Sequence, residues 1–430
     1  MKICLFVMIG LVIASTGLFL LAYRRRMSWW FKNTKPQKKI ESFTQYRFAI
    51  VIPARNEGKT IVPLLDSILK QTYEKDLFDV YTIVKEADDP TIGMIKDILP
   101  EAQVFVDEEQ KTKGHALDYG MKRIIEEHRG EYDGYIIIDA DCVLDSKFLC
   151  EMNRAFGSRK DVYNSKLVVK NYLNPDKKSN SWASYCNGLI WTLMSELGNR
   201  AKSDQGIVTM TLGTGLLIRG SLVEEWNGWP FQDTLTEDME LQRNCAIHNY
   251  TTEYVSYAVC YVEESTSLRA TNLRRNRWMT GVVHCDQLFD EKQKNRRKTK
   301  QDRLNFYAVH SLYYVYEYVG FLCLLVLTNL ILGCIASVKF PSLALGFYLI
   351  SFCSFFLIYL GFFVMTVRCM IVDRKYLPMK RRTRIWIALT HPFYYMGYIG
   401  IMVKIFTFRK TKTWKTIKRV DFQESAFEQV

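Results

Sequence analysis

Apolar positions follow two regimes along this chain. Residues 3–23, 315–338, 342–367 and 385–407 are nearly unbroken apolar runs of membrane length. Between the first and second, residues 24–314 hold no such run and alternate short apolar stretches with amphipathic ones. Residues 47–52 (RFAIVI) read as a buried strand ended by Pro53. Residues 58–71 carry Ile61, Leu64, Leu65, Ile68 and Leu69 at helical spacing. Residues 79–84 and 102–106 read as further strands, 114–127 as a helix, and 134–139 (GYIIID) as a fourth strand. This alternation predicts an α/β fold with a mostly parallel sheet and helices on both faces. Ligands of such sheets bind beyond the carboxyl ends of the strands. The stretches to inspect are therefore 53–57, 86–89 and 139–141, all of which contain acids.

The apolar runs set an expected topology. Only Lys2 precedes the first run, Arg24, Arg25 and Arg26 follow it, and no small-x-small cleavage site is present. A retained anchor fits this better than a signal peptide, with residue 24 in the cytoplasm. The second and third runs are separated by Lys339, Phe340 and Pro341, which predicts a hairpin through the bilayer. The last run is interrupted by His391-Pro392 and is basic on both sides. It is expected to be a re-entrant or interfacial helical hairpin, the alternative being an ordinary fourth span. The expected organisation is an anchor at 1–23, a cytoplasmic domain at 24–290 and a basic interfacial segment at 291–314. A transmembrane hairpin follows at 315–367, then a basic loop with a re-entrant or transmembrane segment at 368–407, and a basic cytoplasmic tail at 408–430.

Charge agrees with that layout. The 430 residues carry a net +13, and segments 24–39, 291–303, 368–384 and 404–419 hold 28 of the 58 Lys/Arg but three of the 45 Asp/Glu. The rest of the chain is net acidic. Bases concentrated beside apolar runs mark cytoplasmic membrane flanks meeting membrane lipid, not a nucleic-acid surface. With 48% apolar residues the chain is not disordered. Eleven cysteines without a C-x-x-C pair argue against a zinc ribbon or a disulfide framework.

Five motifs carry candidate chemistry. Asp139-Ala140-Asp141 follows a buried strand, where two carboxylates two residues apart converge on a hard divalent ion such as Mg2+ or Mn2+; a polar turn is the plain alternative. Thr236-Glu237-Asp238 opens a helical stretch and offers a general base, or simply an N-cap with acids in the first turn. Arg274-Arg275-Asn276-Arg277-Trp278 offers guanidinium groups for phosphate and an aromatic face for a sugar, or an interfacial anchor. Lys113-Gly114 starts a helix and suits an anion. Gly213-Thr214-Gly215 lets backbone approach a ligand, or forms a bulge.

In this order, between membrane runs, the motifs resemble those of the membrane-bound inverting glycosyltransferases of family 2. These include bacterial exopolysaccharide, poly-N-acetylglucosamine, hyaluronan and cellulose synthases. The resemblance covers residues 46–282. It implies a GT-A (nucleotide-diphospho-sugar transferase) fold that binds a UDP-sugar. By that likeness Ala54, Arg55, Glu57, Glu86, Asp88, Lys113, Asp139 and Arg277 bind the nucleotide-sugar, and Asp141 ligates Mg2+ or Mn2+. Asp238 would be the base, with Gly213, Thr214, Gly215, Glu237 and Trp278 on the acceptor side. One position departs from the pattern: Arg274 stands where processive members usually carry Gln. The expected protein is a multi-pass plasma-membrane enzyme with its catalytic domain in the cytoplasm. It would build an extracellular polysaccharide, with export through accessory subunits as a further expectation. The alternatives are a non-processive transferase acting on a lipid-linked rather than a glycan acceptor, and a non-catalytic scaffold. If 385–407 re-enters, the tail residues Thr413 and Trp414 are expected to form part of a gate over the nucleotide, the alternative being a simple membrane-surface anchor.

Overall fold

The structure, a computed structural model, describes residues 2–31, 37, 44–174, 180–294 and 299–408. It divides into two units. One comprises Asn33–Val309, Lys375–Leu377 and Lys410–Val430, and the other Met1–Lys32, His310–Arg374 and Pro378–Arg409.

The first unit is built on an eight-stranded sheet. Its strands are β1 (Phe48–Pro53), β2 (Phe78–Val84), β3 (Gln103–Val106), β4 (Gly134–Ile137), β5 (Val143–Leu144), β6 (Val162–Val169), β7 (Leu216–Arg219) and β8 (Thr252–Val262). They lie in the order β3-β2-β1-β4-β7-β6-β8-β5. The four strands expected from sequence pair in parallel. β7 enters antiparallel between β4 and β6, β8 runs parallel to β6, and β5 runs antiparallel to β8. The sheet is thus mixed, with mostly parallel strands.

Composition explains the strand positions. Phe48, Ala49, Ile50, Val51 and Ile52 of β1 are fully buried, as a central strand covered on both faces requires. The helix Lys113–His128 lays Ala116, Leu117, Met121, Ile124 and Ile125 onto Tyr81, Tyr135 and Ile137 of the sheet. Each large side chain so buried contributes about 1.5–3 kcal/mol. Gly120 lets this helix close on β2, since a Cβ there would lie 2.6 Å from Ile83 Cδ1. β6 is polar in its middle, yet fully buried. Asn164 Nδ2 donates to Thr209 Oγ1 (2.8 Å), and Lys166 Nζ meets Glu196 at 3.0 Å.

The second unit is helical: Lys2–Phe31, Ser311–Lys339, Pro341–Val372 and Arg381–Phe408. The expected runs 315–338 and 342–367 lie in two helices separated by Phe340 alone. Both have stretches long and apolar enough to cross a membrane, Tyr318–Lys339 and Pro341–Val372. Leu322, Ala336, Phe347 and Ile350 pack inward, while Leu324, Leu327, Ile331, Leu349 and Phe352 face outward.

The run 385–407 differs from expectation. It does not turn back at His391-Pro392 but forms one helix, Arg381–Phe408, with Pro392 inside. The physical reason lies in its neighbours. His391 is fully buried and its Nδ1 lies 2.9 Å from Thr366 Oγ1, and Tyr395 stacks on Phe362 at 4.9 Å. Packed helices hold a proline-containing segment helical where an isolated one would break. Thr413 and Trp414 lie outside the described residues, as do parts of the basic segments 24–39 and 291–303.

Candidate active site

Four segments of the first unit meet around one ammonium group. Lys113 is the first residue of its helix, and the preceding Thr112 caps that helix by accepting from His115 N. Lys113 Nζ lies 2.6 Å from Asp139 Oδ1 and 3.2 Å from Glu237 Oε1, and donates to Gly213 O at 2.6 Å. Asp139 stands just beyond β4, and its N–H donates to Thr214 Oγ1 (2.9 Å). A Cβ on Gly213 would sit 3.4 Å from Asp238 Oδ2, so glycine leaves that carboxylate room. Thr211 Oγ1 donates to Asp238 O. The segment 211–214 therefore touches the Lys-Gly, D-x-D and T-E-D motifs in turn. Thr214 is buried and its hydroxyl serves the Asp139 backbone. Gly215 (φ +63°) is required by contact, because any Cβ would collide with Ser165 Oγ.

The T-E-D turn is held from behind. Thr236 occupies the N-cap position of the helix Glu237–His248, but its hydroxyl does not cap. Glu240 reaches back instead and accepts from Thr234 N at 2.5 Å and Asp233 N at 3.4 Å. Asp238 Oδ1 accepts from Met239 N (2.9 Å). The helix Leu268–Lys294 packs here through Gly281, where a Cβ would lie 2.6 Å from Thr236 Oγ1. Arg243 fixes the same helix by donating from Nε and Nη2 to Asp286 Oδ1 (2.9 and 2.6 Å). Arg277 and Trp278 sit one turn before Gly281, so the R-x-x-R-W helix is bolted to the T-E-D turn.

Electrostatics follow from the crowding. Burial, then the neighbouring Glu237, push Asp238 up to about 7, against the pull of Lys113 and the Met239 N–H. Burial raises Asp139 as well, outweighing Lys113. Burial disfavours the Lys113 ammonium, but Asp139 and Glu237 overcome it and hold the charge in place.

Asp139, Asp141 and Cys142 bring one potential ligand atom each to within 4.8 Å of one another. A hydrogen bond with Cys260, then burial, keep the Cys142 thiol well above its ordinary range. The donors left are carboxylate oxygens, which fit Mg2+ or Mn2+. Lys170 Nζ steadies this loop by donating to Asp141 O (2.7 Å).

On the side expected to bind nucleotide, the loops after β1 and β2 are stitched together. Asp89 accepts from Asn56 N (2.7 Å) and caps the helix Pro90–Ile98 through Thr91 N (2.9 Å). Thr91 Oγ1 accepts from Glu57 N and Gly58 N, both at 3.0 Å. Ala54 is buried and donates to Ile83 O, whereas Arg55, Glu86 and Asp88 are exposed. Asp89 was not singled out by the motif reading, although Asp-Pro-Thr is an N-terminal helix signal.

A second feature escaped the sequence. Glu264 is fully buried and accepts from Asn187 Nδ2 (2.5 Å), Trp191 Nε1 (2.7 Å) and Arg274 Nη2. The Arg274 guanidinium lies over the Trp278 ring at 4.8 Å, and Trp191 meets Trp278 edge-on at 5.8 Å. Arg274 and Trp278 belong to the R-x-x-R-W motif, but no motif pairs them with Glu264 or Trp191.

Residues 45–281 match the family model "Glycosyltransferase like family 2". The chain is 23% identical over 333 residues to a poly-β-1,6-N-acetyl-D-glucosamine synthase of Staphylococcus epidermidis, covering 76% of this chain and 75% of that protein. It is 22% identical over 249 residues to a β-monoglucosyldiacylglycerol synthase of Nostoc sp., covering 57% and 50%. Among solved structures, a mannosyltransferase from Pyrobaculum calidifontis in complex with GDP-Man and Mn2+ superposes with a TM-score of 0.56 at 17% identity, covering 94% of this chain and 99% of that one. This last likeness speaks for the fold, which is the expected GT-A fold.

Proposed function

The chain belongs to glycosyltransferase family 2, and on that footing we propose that it is an inverting β-glycosyltransferase. It takes a UDP-sugar donor and builds an extracellular polysaccharide at the plasma membrane, with residues 24–290 as its cytoplasmic catalytic domain. The observation that carries the reading is the meeting of the D-x-D and T-E-D acids on Lys113, 2.6 Å from Asp139 and 3.2 Å from Glu237. Two segments about 100 residues apart in sequence thereby share one cation, which supports reading them as donor side and acceptor side of one site.

In this reading Asp238 removes the acceptor hydroxyl proton. The acceptor oxygen attacks the anomeric carbon, the bond to the diphosphate breaks, and UDP leaves with the electron pair. One displacement turns an α-linked donor into a β product. An Asp238 carboxyl poised near 7 suits a base working at neutral pH. A divalent ion held by Asp141, with Asp139 beside it, would offset charge on the diphosphate oxygens. Arg277 steadies the same group. Lys113 keeps the crowded acids apart from full mutual repulsion. Trp278 offers its ring to the acceptor.

A second reading, transfer to a lipid-linked acceptor without polymerisation, is favoured by the likeness to the Nostoc glycolipid synthase and by the apolar helices. Membranes holding the full chain, incubated with a panel of labelled UDP-sugars and Mn2+, separate the two. Long polymer supports the first reading, single-sugar lipid product the second, and no transfer from any UDP-sugar overturns both.

A further inference from the structure

A buried cluster stands behind Trp278 that the proposed chemistry does not use. Glu264 is its centre. Asn171 clamps the Glu264 backbone from both sides, donating to its carbonyl from Nδ2 and accepting from its N–H at Oδ1, each at 2.8 Å. The carboxylate accepts from Asn187, Trp191 and Arg274. Two of those donors, Trp191 and Arg274, also touch Trp278, one at its edge and one over its face. Arg274 has a further hold on the backbone, donating from Nη1 to Glu263 O at 3.3 Å.

We infer that Glu264 is a positioning residue for the acceptor site, fixing the Trp278 ring through Arg274 on one side and Trp191 on the other. A bidentate-capable guanidinium on a buried carboxylate is a stiff support, and a cation over an aromatic face resists ring rotation. The unusual arginine at 274 is then one half of a matched pair. Its charge is answered by Glu264, so this site is neither short of a hydrogen-bond donor nor left with an unpaired charge. The inference rests on the proposed role of Trp278 at the acceptor.

The test compares Glu264→Gln, Arg274→Gln and the double variant in the detergent-solubilised full chain. The first readout needs no substrate. Acrylamide quenching of Trp278 fluorescence, taken as the difference between each protein and its Trp278→Phe counterpart, rises in both single variants and rises no further in the double than in Arg274→Gln, because both changes release the same ring. The second readout is kinetic, with UDP-N-acetylglucosamine as donor and an N-acetylglucosamine tetramer as acceptor. Acceptor KM rises about tenfold in Glu264→Gln while donor KM and kcat hold, and the double variant loses no more than Arg274→Gln alone. Unchanged quenching in the singles, or equal loss of donor and acceptor KM, overturns the positioning role. If one single variant fails to fold, the other decides, because quenching there equal to wild type also overturns it. A wild-type chain that shows no transfer to the tetramer counts against the polysaccharide reading and leaves the quenching test standing.

Discussion

The Lys113 ammonium and the Asp139 carboxylate stand 2.6 Å apart, and the same ammonium reaches Glu237 at 3.2 Å. One cation therefore answers acids from both ends of the site, and the charge state of each end depends on the other.

Asp238→Asn is expected to lower transfer by roughly a hundredfold or more, the usual range for a lost general base. Binding of UDP should persist, because the proposed base acts on the acceptor and not on the nucleotide. Equilibrium dialysis with labelled UDP beside an initial-rate assay checks both halves.

The pH dependence has a definite sign. On the proposed mechanism Asp238 must be ionised to accept a proton, and burial and then Glu237 push its carboxyl up to about 7. Below that value kcat/KM should fall about tenfold per pH unit, and above it should level off. Glu237→Gln removes a like charge and should move the midpoint down. Lys113→Met removes an opposite charge and should move it up. A profile flat from pH 5 to 8 would remove Asp238 from this role.

Chelation should stop transfer, and added Mn2+ or Mg2+ should restore it in the wild type but not in Asp141→Ala. Cys142→Ala should keep the metal response, since its thiol is held neutral. The measurement is rate against free metal concentration in each protein.

Gly215→Ala should be among the more damaging single-methyl changes in the sheet. Its left-handed backbone alone costs about 1–2 kcal/mol with a side chain present, and the new methyl meets Ser165 Oγ. Thermal inactivation at lower temperature is expected, with partial recovery in Gly215→Ala/Ser165→Gly. Equal inactivation temperatures for wild type and Gly215→Ala would refute the close approach.

The first half of the sheet was legible because β1, β2 and β4 are apolar runs with turn signals, and helix Lys113–His128 keeps its apolar spacing. β6 was not, because Asn164, Ser165 and Lys166 look like surface residues until Thr209 and Glu196 are placed beside them. Antiparallel β7 was equally hidden, since three apolar residues before Arg219 do not state their direction. Asp139 and Asp238 were found by motif. Glu264 was not, because its partners at 187, 191 and 274 meet it only in space. The proline in 385–407 misled for a related reason: packing against the neighbouring helix, not local propensity, decides whether a helix continues.

The segment 211–214 links Asp238 at Thr211 to Asp139 at Thr214, with Lys113 seated on Gly213 between them. Three peptide units span at most roughly 10–11 Å. On the proposed mechanism that stretch is a gauge block between the place where a sugar leaves its nucleotide and the place where it is received. Rotating a side chain cannot widen it. A chain of this kind that came to handle a bulkier sugar would have to trim side chains elsewhere in the wall, or gain a residue between Thr211 and Thr214 and lose the alignment of both acids.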